Sequence, residues 1–248
     1  MLPSIRATHV VSAIRGGSSL PVVVDTEGGS RFIVKLRGAG GGVRDLARDA
    51  IYAYAASAVG IAVPRRALID IPKNVSTDAR HEEVLDVLHA STGQNLGFEL
   101  LADARPYVFG KSPPPPADVA SRVVALDLFF LNVDRTESNP NILVLPDRTH
   151  VFTDHASLLL FEHEPDDPAL ASDVTPLRSH VLRSYASRFG PEALRTILTL
   201  SDAAIEGALA DTPADWLGDV GRMRKLLRVR RDRSSEWRSA AQHVLDNI

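Results

Sequence analysis

The sequence predicts an α+β protein in two lobes, a sheet-rich N-terminal lobe over residues 1–103 and a mostly helical C-terminal lobe over 104–248. Three observations carry this. Short β-branched runs broken by glycine turns fill the first forty residues. A helical pattern with short loops dominates from about Asp173 onward. Between them the run Ser112-Pro113-Pro114-Pro115-Pro116 is a stiff, unpaired segment that suits a connection. At roughly 150 residues per domain, a chain of 248 residues makes one large domain or two lobes sharing a cleft.

Composition excludes several classes. Hydrophobic residues are 44% and charged residues 24%, ordinary for a globular chain with a sizeable core and unlike a disordered or fibrous one. With no cysteine there is no disulfide scaffold, thiolate metal site or cysteine nucleophile. Lys plus Arg is 28 and Asp plus Glu is 31, so a net charge of -3 gives no global pull toward nucleic acid or an anionic membrane. Met1 to Ser12 lacks a basic segment followed by a long apolar run, so no signal peptide is expected. The longest apolar stretch, Ala50 to Val63, falls short of the roughly 20 residues that span a bilayer. A cytoplasmic location is expected.

The elements follow in order. His9 to Ile14 and Pro21 to Asp25 read as strands separated by Gly16-Gly17-Ser18-Ser19. Glu27-Gly28-Gly29 is a hairpin turn, and Arg31 to Leu36 a third strand. The glycine run Gly38 to Gly42 reads as a flexible connection. Val43, Leu46, Ala47, Ala50, Ile51, Tyr54, Ala55, Ala58 and Val59 then recur at the spacing of one helical face, ended by Gly60 and Pro64. Ala67 to Ile71 predicts a strand and Asp78 to Ala90 a helix. Asp118 is an expected N-cap for an apolar helix from Val119 to about Leu131. After the polar loop Asn132 to Pro140, Asn141–Leu145 and His150–Thr153 read as short strands around Pro146-Asp147-Arg148.

The stretch Asn132 to Asp154 carries the chemistry. A hairpin brings its ends together, so Asn139 just before it belongs near Asp154 just after it, a hard-oxygen pair suited to magnesium. Asp134 lies on the loop leading in. One carboxylate to orient an acceptor hydroxyl and two groups to hold metal ions on nucleotide phosphates are what phosphoryl transfer needs. Lys35 ends an apolar strand, where a charged side chain needs a reason.

The pattern Asp134-Arg135-x-x-x-Asn139, with Asp154 fifteen residues later, resembles the catalytic loop and metal-binding aspartate of the wider protein-kinase-like superfamily. The Asp-Arg pair resembles phosphatidylinositol kinases. Asn-x-Asp-Arg-x-x-x-Asn-Pro-Asn followed by Asp154-His155 is most similar to small bacterial HipA-like kinases. The upstream order agrees over roughly residues 10 to 162: Gly-Gly-Ser-Ser, a Gly turn, Val34-Lys35-Leu36, and a helix closing with Gly60-Ile61-Ala62-Val63-Pro64.

The resemblance implies a two-lobed protein-kinase-like fold and an enzyme that uses ATP and magnesium to phosphorylate a hydroxyl, with a protein serine or threonine as acceptor. It implies that Lys35 bridges the α- and β-phosphates, that Asp134 is the catalytic base, and that Asn139 and Asp154 are metal ligands. Gly16, Gly17, Ser18 and Ser19 would form the turn over the phosphates. Family register points to Asp49 as the acidic partner of Lys35, but the helical wheel sets Asp49 away from the apolar stripe, which leaves a plain solvated carboxylate as the other reading. His155-Ala156 stands where many kinases have Phe-Gly, so their activation-segment switch is not implied.

Rival readings come from three other features. Gly38-x-Gly40 begins a dinucleotide fingerprint, but Val43 holds the third glycine's place. His150, His155 and His163 match no zinc spacing. Arg222 to Arg238 holds eight basic residues, yet Met223, Leu226 and Leu227 give it an apolar side, so a solvated helix packed by that side is expected rather than nucleic-acid docking. A lipid or small-molecule kinase on the same scaffold, and a non-catalytic nucleotide-binding module that regulates a partner, are the alternative functions. The acceptor's identity and the oligomeric state are not legible.

Overall fold

The computed structural model describes residues 2–14, 20–186 and 191–246, without the side chains of 191, 192 and 194. β1 (Ser4–Ala13), β2 (Val22–Thr26) and β3 (Arg31–Lys35) form an antiparallel meander, with Val22 opposite Val34 and Val24 opposite Phe32. Strict alternation puts Val22, Val24, Phe32 and Val34 on the inner face. The β2–β3 turn needs positive φ at two successive residues, which Gly28 (93°) and Gly29 (81°) supply without Cβ strain. α1 (Val43–Ala58), β4 (Arg66–Ile71), β5 (Ser76–Thr77), α2 (Glu82–Ala90) and β6 (Gly93–Glu99) complete the lobe. The helix expected from Asp78 therefore begins at Glu82, behind the short strand β5.

The sheet runs β2-β3-β6-β4-β1-β5, and it also closes on itself. Ser4 to Arg6 of β1 pair in parallel with β4, while Ala7 to Ala13 pair with β2, so β1 bonds both ends of the four-strand path β2-β3-β6-β4. β6 has a weak sequence signal because glycine and amides occupy strand positions. The structure uses two of them, Asn95 and Gly97. Asn95 is buried, accepts from the Arg37 N–H at 2.8 Å and donates to the Ser91 and Gly93 carbonyls. A Cβ on Gly97 would stand 2.5 Å from Ile69 Cγ1 in the neighbouring strand. Gly97→Ala is therefore expected to cost about 1–3 kcal/mol by overpacking, read as a lower urea midpoint with unchanged slope.

Beyond the sheet, β7 (Arg105–Pro106) pairs with β8 (Ile142–Val144), which pairs with β9 (His150–Phe152). α3 (Ala117–Phe130) runs through the core, its apolar residues from Val123 to Phe130 buried all round. Its N-cap is Pro116 rather than Asp118; the proline run ends against the helix, and Asp118 in the first turn instead pairs with Arg122 at 3.0 Å. From Asp173 the expected helices give way at first to a 3-10 turn at Thr175–Arg178, which follows another at Pro168–Ala171. Then come α4 (Pro191–Thr199), α5 (Asp202–Asp211), α6 (Ala214–Leu217), α7 (Val220–Asp232) and α8 (Ser234–Leu245).

Two features of this packing bear on the site. α5 and α6 pack against α1, and Arg66 fastens that junction through Asp211 at 3.4 Å and the Ala50 carbonyl at 3.0 Å. On α7, Met223, Leu226 and Leu227 face inward as the pattern predicts, and two half-buried arginines are spent in internal pairs, Arg224 with Glu206 and Arg231 with Asp202. Arg230 departs from the solvated-helix expectation. It is fully buried, donates to the Leu128, Leu170 and Asp173 carbonyls, and lies 4.8 Å from the Trp237 ring. Burial pulls its guanidinium down to about 9, with Asp173 opposing.

Candidate active site

Lys35 closes β3 and is 6% exposed. Its ammonium pairs with Asp49 from α1 and, at 2.5 Å, with Oδ1 of Asp154. Burial alone would pull the Lys35 ammonium down, but the two carboxylates overturn that and hold it above its ordinary value. Asp49 is 0% exposed, so the solvated reading is corrected. The wheel argument fails because α1 has no free flank at this level: Leu46, Ala47, Ala50, Ile51, Tyr52 and Ala53 are buried around it. Burial raises the Asp49 carboxyl against the pull of Lys35, and its Oδ1 also accepts the His155 N–H at 3.2 Å.

The loop from Asn132 to Pro140 is anchored from below by a carboxylate that sequence reasoning missed. Asp127 on α3 is 0% exposed and accepts from Arg135 Nε at 2.6 Å, Tyr52 Oη at 2.6 Å, Asn132 Nδ2 at 2.7 Å and His180 Nε2 at 2.9 Å. Arg135, also buried, continues to the Asn141 carbonyl at 2.9 Å and His155 Nδ1 at 3.1 Å. One ion pair thus touches the loop, the hairpin after it and the residue following Asp154. The signal was available, since a lone carboxylate in Val123-Val124-Ala125-Leu126-Asp127-Leu128-Phe129-Phe130 needs partners as much as Lys35 does.

Asp134 is half-buried on this loop, its N–H bonded to Asn132 Oδ1 at 3.2 Å. Lys35, Asp134, Asn139 and Asp154 all line one cleft of about 840 Å³, together with Gly42, Asp45 and Arg48. Asp49 stands behind Lys35. Gly16, Gly17, Ser18 and Ser19 lie outside the described residues. The Gly38–Gly42 run is not the flexible connection expected: Ala39 and Gly42 are stitched into successive turns, Gly38 N–H donates to Ser91 Oγ, and Gly41 N–H donates to Asp45.

The hairpin brings its ends together as expected, but the residue directly opposite Thr153 is Asn141, whose carbonyl accepts the Thr153 N–H at 3.0 Å. Asn139 is exposed on the cleft rim, while the Asn141 amide donates to the Asp134 carboxylate at 3.3 Å and to its carbonyl at 3.4 Å. Asn141 and Asp154 both hold φ near 51°, a left-handed conformation that Asn and Asp tolerate best among side-chain-bearing residues. Strain of this kind gathers at functional sites. The histidines have separate partners: His150 the Pro113 carbonyl, His155 Arg135, and His163 Asp167.

Among the described residues no three His, Asp or Glu side chains converge as a metal cage. The carboxylate and amide oxygens lining the cleft are those of Asp45, Asp134, Asp154 and Asn139; a carboxylate with an amide oxygen fits magnesium, which is usually held by few protein carboxylates plus a substrate's phosphates.

Comparison with known proteins agrees with this geometry. The sequence model of the HipA-like kinase family matches residues 7–230. No curated protein sequence matches the chain. Among solved structures, a Golgi casein kinase crystallised with Mn and ADP covers 99% of this chain and 73% of its own at 12% identity, with a TM-score of 0.57. A MAP kinase from Leishmania major covers 96% of this chain and 82% of its own at 14% identity, with a TM-score of 0.33. The fold is a protein-kinase-like one, and the chain belongs to the HipA-like kinase family, which makes it a phosphotransferase.

Proposed function

We propose that the protein transfers the γ-phosphate of ATP, with magnesium, to a serine or threonine hydroxyl of a protein in the cytoplasm. The observation that carries this reading is the single cleft lined by Lys35, Asp134 and Asp154, with Lys35 buried between two carboxylates. Lys35 neutralises the nucleotide's inner phosphates, and Asp49 keeps its ammonium charged and aimed. Asp154, with an amide oxygen, holds the cation, which when bound draws charge off the phosphate oxygens. Asp134 orients the acceptor hydroxyl and takes its proton as the new O–P bond forms and ADP departs with the electrons of the broken P–O bond. The lobes meet after residue 103, between β6 and β7.

Of the two amides, we assign the cation-holding role to Asn141, because its NH2 group is spent on Asp134 and its oxygen remains for a cation, whereas Asn139 sits at the rim. Asn141→Ala is expected to weaken magnesium-dependent nucleotide binding by about tenfold or more, at least what loss of a group that supports a metal ligand costs, and Asn139→Ala by less. The reverse order in a magnesium titration returns the role to Asn139.

A thermal-shift assay tests the nucleotide site. ATP with magnesium raises the melting temperature by mass action on the folded state, and Asp154→Ala removes most of the magnesium-dependent part. A full shift in that variant means Asp154 is not a metal ligand.

A further inference from the structure

The segment that leaves Asp154 comes back to the catalytic loop. Thr136 and His180 form an isolated antiparallel bridge, and Val181 donates its N–H to the Arg135 carbonyl at 3.0 Å. These contacts lie immediately beside Asp134. The His180 side chain is 1% exposed. Its Nδ1 accepts the Leu182 N–H at 3.1 Å, so the ring proton sits on Nε2, which donates to Asp127 Oδ2 at 2.9 Å. At its other end the segment is fastened to the same pair, since Arg135 donates to His155 Nδ1 at 3.1 Å. Residues 155 and 180 are therefore both tied to one buried carboxylate–guanidinium pair, and the chain between them is a closed excursion from it.

We propose that His180 is a positioning residue for phosphoryl transfer. By donating to Asp127 it fixes the returning segment against residues 135 and 136, and so holds Asp134 in line with the acceptor hydroxyl. The proposal rests on Asp134 being the catalytic base. His180 does not touch the nucleotide-side groups: Lys35 and Asp49 belong to β3 and α1, and their contacts run to Asp154 and His155. Losing the His180 donor therefore loosens alignment at the reacting hydroxyl and leaves ATP binding in place. A shift of about 1 Å at such a centre lowers rate by roughly 100-fold.

The test is a split between binding and turnover. His180→Leu keeps the volume and removes the donor. It is expected to lower kcat by roughly 10- to 100-fold while the Kd for ATP with magnesium stays within about twofold. His180→Gln, whose amide N–H can reach Asp127, is expected to restore most of the rate. A purely structural histidine would lower the melting temperature and leave kcat per folded molecule unchanged, and that result overturns the proposal. Should His180→Leu not fold, hydrogen exchange on the wild-type protein decides: the Val181 and Leu182 amides are expected to exchange as slowly as those of α3, and fast exchange overturns it. Asp134→Asn run alongside separates the two readings. If it still transfers phosphate, the base assignment fails; if it is inactive and His180→Leu is fully active, only the positioning role fails.

Discussion

Asp134→Asn is expected to bind ATP with near-normal affinity and to transfer phosphate at least about 100-fold more slowly, the low end for loss of a general base. The amide keeps the size of the carboxylate and most of its polarity, so the Asn132 and Asn141 contacts around residue 134 have a partner of similar shape. What disappears is the negative charge and the site that accepts the hydroxyl proton. Both matter at the transition state more than in the ground state, so kcat falls while the nucleotide Kd holds. On the proposed roles nucleotide affinity depends on Lys35, Asp49 and Asp154, whose mutual contacts the change leaves untouched. Isothermal titration paired with initial rates reads the two quantities separately. A variant that turns over at the wild-type rate removes Asp134 from the catalytic role.

Asp127→Ala is expected to cost about 3–5 kcal/mol of folding stability, because removing one partner of a buried ion pair leaves the other charge uncompensated. Arg135 is fully buried and has no exit to solvent. Four donors lose their acceptor at once: the guanidinium, the Tyr52 hydroxyl, the Asn132 amide and the His180 ring. The effect carries a pH signature. Burial alone would raise the Asp127 carboxyl, but Arg135 and His180 hold it well below the usual carboxylate range. A carboxylate whose folded pKa is depressed contributes stability that is complete above its unfolded value, near 3.9, and is lost as pH falls through the folded one. The stability gap between wild type and Asp127→Asn should therefore be full at neutral pH and shrink as the pH drops below about 4. A gap independent of pH down to about 2 contradicts the buried charge.

The legible parts of the site were those where local chemistry conflicts with its surroundings. Lys35 at the end of an apolar strand, and the amide and carboxylate that bracket a hairpin, announce themselves because such polar groups need a partner. Asp127 sends the same kind of signal from inside an apolar helix and went unread, since its partners Tyr52 and His180 are distant in sequence. Asp49 defeated the wheel for a different reason. A helical stripe assumes one buried face, and α1 is covered by β6, α3 and the C-terminal helices α5 and α6 together. β6 was hidden because its glycines and Asn95 answer to tertiary contacts, Ile69 across the sheet and the Ser91 turn, rather than to strand propensity. The Asn139 and Asn141 pair shows the limit of spacing: both lie near the carboxylates in sequence, and only the fold shows that Asn139 lines the cleft while the Asn141 amide bonds Asp134.

The most direct measurement is label transfer from ATP carrying the isotope either at the γ- or at the α-phosphate, with wild type and Asp134→Asn side by side. Protein-kinase-like scaffolds can host more than one transfer from ATP, so the position of the transferred phosphorus defines the activity. The account predicts γ-label on serine or threonine of a protein acceptor, none from α-labelled ATP, and loss of the signal in Asp134→Asn. Transfer of the α-label, or γ-transfer that survives Asp134→Asn, would contradict it.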